Sequence, residues 1–430
     1  MTRTVLVLGC VAGCAAGAPD ADPALSPATT TSVDRHASLA FTREHVTGDI
    51  YHYSALVPIG TAPSAALRLH RVVRELAPFV PRRTARAAML LHGDFATFVT
   101  DFAPTLGAPA SPAPGLAPYL AARDLDVWGV DRRWTLPGSA GDVSDFGAMG
   151  VAQELDDLRI ALALASATRL AGGARDGTLA LVGFSHGAQL AYTYASVEAA
   201  RPSAQRVVRA LVALDFYGAL GPDQVDVRAF ACGNSAAEYD AVAAGFVDSP
   251  NDFLISAGQN ARTDPDGASG FGDLTNRDLM LFVVGQTYNF APFAPLYHLL
   301  APVLAGDAAV GLGETTEDAA TAWLAGSPPH QSMLEGADLD ALLCGTGPMP
   351  VDAPLSRIRV PLYYLGAAGG VGALGVYSTT QVSSSDVTAQ VVQRLGAERI
   401  AEDFGHGDLL FAADAPTLAW QPLAAWLARH

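Results

Sequence analysis

The chain has 430 residues, of which 50% are hydrophobic and 16% are charged. This composition excludes disorder as the main state, and the length allows one large domain or two ordinary ones. The formal net charge is −17, and all 26 basic residues are arginines. Such an acidic balance argues against nucleic acid or an anionic membrane surface as a partner, because both need basic protein surface. No apolar stretch reaches about 18 residues, so no transmembrane helix is expected.

The first 13 residues are typical of an export signal. Arg3 supplies a positive charge, and residues 4–13 are an apolar run too short to span a bilayer. The run leads into V-A-G-C, which resembles a bacterial lipobox ending at Cys14, whereas Cys10 follows a less suitable triplet. The resemblance implies a periplasmic or outer-membrane lipoprotein that contacts membrane only through a lipid on Cys14. Ordinary secretion is the alternative, and residues 14–45 are predicted to be a flexible tether.

Most of the negative charge lies in one internal segment. Residues 216–355 hold 18 acidic residues against 3 arginines. The same segment holds Cys232 and Cys344. An even pair of cysteines in an exported protein suggests a disulfide, which would close a loop of about 110 residues and stabilise the fold by roughly 4–5 kcal/mol in the chain-entropy model. Two separate buried thiols are the alternative.

The remaining sequence alternates apolar runs with helical periodicity. Residues 49–58 and 66–75 are predicted to be an opening pair of strands, and residues 153–170 an amphipathic helix. Fully apolar strands that alternate with helices indicate a mostly parallel sheet flanked by helices on both faces. The predicted class is therefore α/β. The apolar runs predicted as buried strands are residues 87–91, 125–130 (ending at D-R-R), 178–182, 207–214 and 360–365.

Ser185 lies in the motif G-F-S-H-G, between the predicted strand 178–182 and a predicted helix that runs to about residue 199. In this setting the pattern G-x-S-x-G is typical of a nucleophile elbow. The turn is so tight that Gly183 and Gly187 have no room for side chains, and it lifts the serine above the sheet. A glycine-rich connection with an incidental serine is the alternative. The motif predicts Ser185 as a nucleophile.

The tetrapeptide H-G-D-F, which begins at His92, resembles the oxyanion loop of α/β-hydrolases. The resemblance implies that the backbone N–H groups of Asp94 and His186 bind the developing oxyanion. Such donors act because they are aimed before the charge forms, and losing one typically costs about 10²–10³ in rate. A turn histidine with no catalytic role is the alternative interpretation.

The segment F-G-H-G-D-L-L-F contains His406 and is followed by Asp414 and a terminal helix. It is similar to the closing segment of acid lipases and related α/β-hydrolases, and it follows a strand-like stretch at residues 398–401. In those proteins the histidine is the general base that takes the serine proton, so the resemblance implies this role for His406. The resemblance covers about two thirds of the chain and leaves residues 216–355 unexplained.

Three acidic residues compete for the third position of a triad. Most α/β-hydrolases carry this acid soon after the strand at residues 360–365, but the following stretch G-A-A-G-G-V-G-A has no carboxylate. Asp215 follows the strand at 207–214, where some members, including haloalkane-dehalogenase types, carry the acid. Asp386 is the second candidate, although it is also typical of a helix N-cap. Asp408, or no acid, is the third alternative, and we favour Asp215.

These resemblances predict an α/β-hydrolase fold. Residues 46–215 and 356–430 would form the core, and residues 216–355 a large helical cap, because this insert is too long for a structureless loop. Within the cap, residues 279–284 and 290–304 are strongly apolar. They are interpreted either as the lining of an acyl-binding pocket or as the cap's own core.

The leading hypothesis is a serine hydrolase that cleaves carboxylic esters through an acyl-enzyme, with Ser185, His406 and an orienting carboxylate. The acidic cap favours a neutral small-molecule ester over anionic substrates. The sequence shows no metal-ligand cluster and no phosphate-binding glycine loop, so no cofactor is expected. One alternative is an acyltransferase or amidase that uses the same residues. The other is a catalytically inactive surface lipoprotein that keeps the hydrolase scaffold.

Overall fold

The computed structural model describes residues 41–107, 114–287 and 297–430. The strands of these residues form one ten-stranded sheet and one separate two-stranded hairpin. In chain order the strands are β1 (Phe41–Thr47), β2 (Ile50–Pro58), β3 (Ala66–Ala77), β4 (Val80–Pro81), β5 (Arg86–Leu91), β6 (Leu125–Asp131), β7 (Leu179–Phe184), β8 (Val208–Leu214), β9 (Pro302–Ala305), β10 (Ala308–Leu312), β11 (Leu362–Ala367) and β12 (Val387–Val392).

The helices pack on both sides of the sheet and also build most of the segment between β8 and β11. In chain order they are α1 (Phe98–Phe102), α2 (Pro104–Gly107), α3 (Leu116–Ala121), α4 (Val151–Ala171), α5 (His186–Ala199), α6 (Val225–Ala243), α7 (Asp252–Thr263), α8 (Asn276–Gly285), α9 (Glu317–Ala325), α10 (Met333–Cys344), α11 (Gly372–Thr379), α12 (Asp408–Phe411) and α13 (Gln421–Arg429).

The main sheet has the strand order β1-β2-β3-β6-β5-β7-β8-β11-β12, with β4 paired to β3. Strands β1, β2 and β3 are antiparallel, and β3 is also antiparallel to β6. All neighbours from β6 to β12 are parallel. The parallel strands therefore end at one common edge, the carboxyl edge, where ligands bind in open α/β sheets. Because β3 runs the other way, it ends at the opposite, amino edge.

Strand residues alternate between two buried clusters, one on each face of the sheet. Leu181 of β7 packs in the cluster that contains Leu158 of α4, whereas its neighbour Val182 packs in the cluster that contains Trp426 of α13. Successive side chains of a strand point to opposite faces, and a strand that is apolar at every position therefore needs helices on both sides. The predicted α/β class and the mostly parallel sheet are confirmed.

Residues 216–355, the predicted cap, connect β8 to β11, and we keep the name cap for them. Helices α6 to α10 belong to it, and the antiparallel hairpin of β9 and β10 adds strands to a segment that was predicted to be helical. Helices α6 and α10 pack against each other, and a disulfide between Cys232 and Cys344 joins them. The cap is thus cross-linked between an early and a late helix.

The structure differs from the sequence-based expectations at three places. Strand β1 begins at Phe41, so residues 41–45 belong to the sheet and not to the tether. The predicted strand at 398–401 is wrong, because a 3₁₀ helix spans Ala397–Glu402. The last strand is β12, which directly follows Asp386, so this residue caps no helix. β12 lies at the end of the sheet with its first three residues exposed, and it therefore lacks a continuous apolar signal.

Candidate active site

Ser185 sits in the turn between β7 and α5, at the carboxyl edge. Its backbone has φ 56° and ψ −134°, a conformation that few residues other than glycine adopt. A Cβ at Gly183 would lie 2.1 Å from the carbonyl oxygen of Gly187, and a Cβ at Gly187 would lie 2.5 Å from the carbonyl oxygens of Leu91 and His92. Both glycines are therefore needed for the turn, and the strain is typical of a nucleophile elbow.

His406 lies in the loop before α12 and is 2% exposed. Its Nδ1 is 2.8 Å from Oδ2 of Asp215, and its ring stacks on the ring of Phe184 with centroids 4.6 Å apart. Because Nδ1 is bonded to the carboxylate, Nε2 is the nitrogen left to exchange a proton with a substrate or nucleophile. His406 and Ser185 line the same cavity, which has a volume of about 370 Å³.

Asp215 follows β8 and is fully buried, with φ 46°. Its Oδ1 accepts a hydrogen bond from the N–H of Ala367 at 2.7 Å, and its Oδ2 accepts one from the N–H of Val371 at 3.2 Å. A Cβ at Gly370 would lie 2.2 Å from Oδ2. The glycine-rich stretch after β11, which carries no acid of its own, thus wraps the carboxylate that comes from β8. These bonds and His406 offset the cost of burying the charge.

The other two candidate acids lie elsewhere. The side chain of Asp386 is 53% exposed and contacts His430, with 2.9 Å between Oδ2 and Nε2. Asp408 is buried, and its carboxylate accepts hydrogen bonds from the hydroxyl of Thr315 and from the N–H groups of Ala301 and Gly405. Burial raises the pKa of Asp408 to about 6. Asp408 therefore fastens the His406 loop to the cap, and neither residue contacts the imidazole.

The loop that starts at His92 passes close to the nucleophile. A Cβ at Gly93 would lie 2.9 Å from the Cβ of Ser185, so only glycine fits there. Among the described residues, the N–H groups of Asp94 and His186 donate to no other protein group, which leaves both free to bind a ligand oxygen. Two amides beside a nucleophile are the arrangement of an oxyanion hole.

The side chains of the same two residues form an ion pair that the sequence reasoning missed. Nδ1 of His186 contacts Oδ2 of Asp94, and both side chains line the cavity. Burial acts to lower the pKa of His186, but the Asp94 carboxylate outweighs it and raises this pKa to about 9. Burial acts to raise the pKa of Asp94, and His186 holds it below its usual range. The pair links the loop after β5 to the first residue of α5.

Further residues support this loop from behind. The Nη2 group of Arg132 donates to the carbonyl oxygens of Gly93 at 2.7 Å and His92 at 3.0 Å. The N–H of Gly93 donates to Asp101 at 2.8 Å. Arg132 is 3% exposed and its Nη1 is paired with Glu335 of α10. The run D-R-R at the end of β6 was visible in the sequence, but nothing local indicated which loop its arginine would contact.

The cap contacts the same loop directly. Gln331 accepts a hydrogen bond from the N–H of Phe95 at 3.2 Å, and Trp323 of α9 donates to Asp101 at 3.1 Å. Trp134 donates through Nε1 to Glu335 at 2.5 Å. Three cap residues therefore support the loop. Gln331 contacts it directly, Trp323 acts through Asp101, and Glu335 acts through Arg132.

The cavity is apolar over most of its wall, and the cap supplies much of that wall. Val283 from the apolar stretch 279–284 lines it, whereas the neighbouring Leu281 and Val284 are buried in the core. Part of this stretch therefore lines a cavity and part belongs to the core, and the binding of an acyl group stays a prediction. Of the second stretch, residues 290–296 lie outside the described residues, and Leu299 lines the cavity. The polar residues of the wall include Asp94, His186, Asn234, Thr287 and Asp340.

Three of the sequence-based predictions concern the amino-terminal residues, a membrane-spanning helix and a metal site. Cys10, Cys14 and the export signal lie before Phe41 and are not described. Across 41–107, 114–287 and 297–430, no helix has both the length and the apolar character needed to cross a bilayer. The same ranges contain no cluster of three or more histidine, cysteine or acidic side chains that would hold a metal ion.

Comparison with known proteins adds evidence on the fold. No protein-family model matches the chain, and no curated protein sequence matches it. Among solved structures it is similar to a candidate lipase from Sulfolobus solfataricus, with a TM-score of 0.58, 13% identity and coverage of 92% of this chain and 99% of the other. A soluble variant of monoglyceride lipase from Saccharomyces cerevisiae shows a TM-score of 0.45 at 11% identity, covering 92% and 97% of the two chains. The sheet order and the first of these similarities show that the chain has the α/β-hydrolase fold.

Proposed function

We propose that the protein is a serine hydrolase that cleaves carboxylic esters. The observation that carries this proposal is the 2.8 Å contact between Nδ1 of His406 and the carboxylate of Asp215, at the wall of the cavity that also contains Ser185. An imidazole that is held by a buried acid, and that lines the same cavity as a serine in a strained turn, fits the arrangement that activates a serine hydroxyl.

The reaction follows from these positions. Oγ of Ser185 attacks the carbonyl carbon of the ester while Nε2 of His406 accepts its proton. The carbonyl oxygen becomes an oxyanion, to which the N–H groups of Asp94 and His186 donate. When the tetrahedral centre collapses, the carbon–oxygen bond to the alcohol breaks and His406 protonates the leaving alkoxide. Water then attacks the acyl-enzyme by the same steps, and the acid and free Ser185 are released.

The wall of the cavity supports an ester with an apolar acyl group. Phe253, Val283 and Trp323 come from three different cap helices and line one part of it. Among the described residues of the wall there is no lysine or arginine, His186 is already paired with Asp94, and Asp340 contributes a further carboxylate. A substrate with a negative charge would meet Asp340 with no unpaired basic group beside it, so a neutral ester fits better.

We also propose that the protein is exported, with lipidation at Cys14. The disulfide between Cys232 and Cys344 supports export, because such bonds persist in oxidising compartments and are rare in the cytosol. The apolar run and V-A-G-C motif of the first 14 residues support the lipid anchor. Mass spectrometry of the mature amino terminus would test it, and an unmodified Cys14 in the exported protein would contradict it.

A fluorophosphonate probe, which labels activated serines, tests the proposed activity. We expect the wild-type protein to be labelled and the Ser185→Ala variant not to be. Ser203→Ala removes an exposed serine that does not line the cavity, and it serves as the control. Labelling that persists in Ser185→Ala would contradict the assignment of the nucleophile. If neither protein is labelled, the inactive scaffold becomes the better interpretation. If only the wild-type protein is labelled, hydrolysis rates of esters with acyl chains of increasing length would define the substrate range.

A further inference from the structure

The turn between β3 and β4 exposes an unbroken run of apolar residues. Residues 76–80, with the sequence L-A-P-F-V, are all exposed, and we call this segment the apolar tip. Leu76 is 71% exposed, Phe79 is 60% exposed and Val80 is 49% exposed. A run of five exposed apolar residues is unfavourable in water, and such surfaces usually bind something. The tip lies outside the cavity that contains Ser185.

The protein holds the tip in one conformation. Glu75 is 7% exposed, and its carboxylate accepts hydrogen bonds from the N–H of Phe79 at 3.3 Å, from Nε of Arg43 at 2.9 Å and from the hydroxyl of Tyr53. Phe79 has φ 65°, which is uncommon for a residue other than glycine. Surrounding structure must impose such a conformation. The apolar side chains are therefore presented outward by a buried polar support.

The apolar surface continues beyond the turn. The ring of Phe41, which is 58% exposed, lies 6.3 Å from the ring of Phe79 in an edge-to-face arrangement. An open groove of about 420 Å³ adjoins both rings and is lined further by Tyr53 and by Leu164 of α4. Phe41 is also where the described chain begins, so residues 1–40, which include Cys14, join the fold beside the tip.

The segment that contains the tip is rich in arginine, whereas the cap is acidic. Residues 41–86 contain seven arginines and three acidic residues, against 3 and 18 in residues 216–355. Arg74 is paired with Asp49 and Asp124, Arg82 is paired with Asp124, and Arg83 is exposed. Arginine stems pack along apolar surface while the guanidinium groups stay in water or among lipid headgroups. An exposed apolar segment flanked in sequence by arginines fits the interface of a bilayer.

The tip and the cavity lie at opposite edges of the sheet. β3 is antiparallel to β6, with Val72 opposite Val127 and Arg68 opposite Asp131, so its last residues extend past the start of β6. Ser185 follows β7 at the carboxyl edge, whereas the tip follows β3 at the amino edge. We propose that the apolar tip inserts into the surface of a lipid bilayer and that the cavity and the acidic cap face away from that bilayer.

The test compares tryptophan reporters at the tip and in the cap of the same full-length, exported protein bound to vesicles. Phe79→Trp places the reporter at the tip, and Val80→Trp is a second tip variant in case the first fails to fold. Phe246→Trp is the matched control, because Phe246 is 57% exposed and lies in the cap. The vesicles contain phosphatidylcholine with a minority of phosphatidylglycerol, with brominated or unbrominated acyl chains. Bromine quenches tryptophan emission only at short range, and anchoring through residues 1–40 is the same in all three proteins.

We expect brominated vesicles to quench the tip reporters several-fold more than the reporter at position 246. Quenching at neither position 79 nor position 80 would overturn the proposal, and equal quenching at position 246 would overturn the orientation. A concentration-dependent blue shift of the tip reporters without vesicles would mean that a second copy of the chain covers the tip, which would also overturn it. The quenching measurement does not depend on ester hydrolysis. The tip variants should hydrolyse esters at the wild-type rate.

Discussion

The core and the cap make different contributions to the candidate site. The core supplies every side chain of the proposed reaction, since Ser185, Asp215 and His406 all follow strands of the main sheet. The cap supplies none of these, but it supplies much of the cavity wall, and through Gln331 and Glu335 it supports the oxyanion loop. In the proposed reaction, a segment inserted between two strands would thus share in positioning the reaction centre without providing a reacting group.

The largest expected effect is in the core. Asp215→Asn should lower kcat/KM for ester hydrolysis by about 10⁴-fold, because an amide cannot hold the imidazole in the tautomer that leaves Nε2 free to accept a proton. Steady-state kinetics measure this loss. Asp386→Asn is the control and should be close to wild type, since Asp386 contacts His430 at the surface. A large loss in Asp386→Asn would show that the acid has been assigned wrongly.

The next effect tests the integrity of the cap. Replacing both Cys232 and Cys344 by serine should lower the free energy of unfolding by about 4–5 kcal/mol, because the disulfide closes a loop with a sequence separation of 112 residues. Urea unfolding followed by far-UV circular dichroism measures the change. Reducing the wild-type protein should give the same midpoint as the double variant. If the variant unfolds like the oxidised wild type, the cross-link does not stabilise the cap.

A smaller effect is expected where the cap supports the core. Arg132→Lys should lower kcat by about 10²-fold with little change in KM, because one ammonium nitrogen cannot replace both Nη1, which pairs with Glu335, and Nη2, which donates to Gly93 and His92, so the N–H groups of the loop lose their aim. Arg133→Lys is the matched control, because Arg133 is the next residue in the chain. Its guanidinium pairs with Asp157 at 2.6 Å and does not contact the loop.

The split between kcat and KM separates positioning from general damage to the fold. Glu335→Gln leaves Arg132 in place but removes the negative charge on the cap with which Arg132 pairs. This variant should lower kcat, as Arg132→Lys does. Equal losses in Arg132→Lys and Arg133→Lys would contradict the specific role of Arg132. A rise in KM with unchanged kcat would indicate that the pair shapes the cavity and not the oxyanion hole.

The smallest effect is pH dependence at the His186–Asp94 pair. The pKa of His186 is raised from 6.5 to about 9 in the folded protein, so the pair's stabilisation is complete below about pH 6.5 and is lost as the pH rises through about 9. The difference in unfolding free energy between wild type and His186→Gln should therefore shrink over this range. Urea unfolding at a series of pH values measures it, with His430→Gln as a surface control. A difference that stays constant up to pH 10 would contradict the ion pair.

Local signals in the sequence predicted the parts of the fold that depend on neighbouring residues. The predicted helix at 153–170 compares with α4 at Val151–Ala171, and the strand and helix around Ser185 lie where the motif places them. Both predictions rest on residues that are close in sequence, because one uses apolar periodicity and the other a turn that only glycines allow. β12 was missed because an exposed end strand has no continuous apolar run.

The arrangement of the acid depends on residues that are distant in sequence. Asp215 is held by N–H groups of Ala367 and Val371, which are about 150 positions later, and this contact exists because β8 and β11 are neighbours in the sheet. The sequence could not show that pairing, so the glycine stretch after β11 was interpreted as an empty acid position. The contacts of Arg132 were hidden for the same reason, since Glu335 is 203 residues away.

The hydrogen bonds between the cap and the loop at Gly93 have a consequence for how this scaffold can be changed. A cap that served only as a cover could be exchanged for another to alter substrate preference. Here a graft would also remove Gln331, Trp323 and Glu335, and with them three supports of the loop at Gly93. Selection for new specificity should therefore alter wall residues such as Phe253 and Val283 and conserve the α9–α10 region. The cap would then evolve residue by residue and not as an interchangeable module.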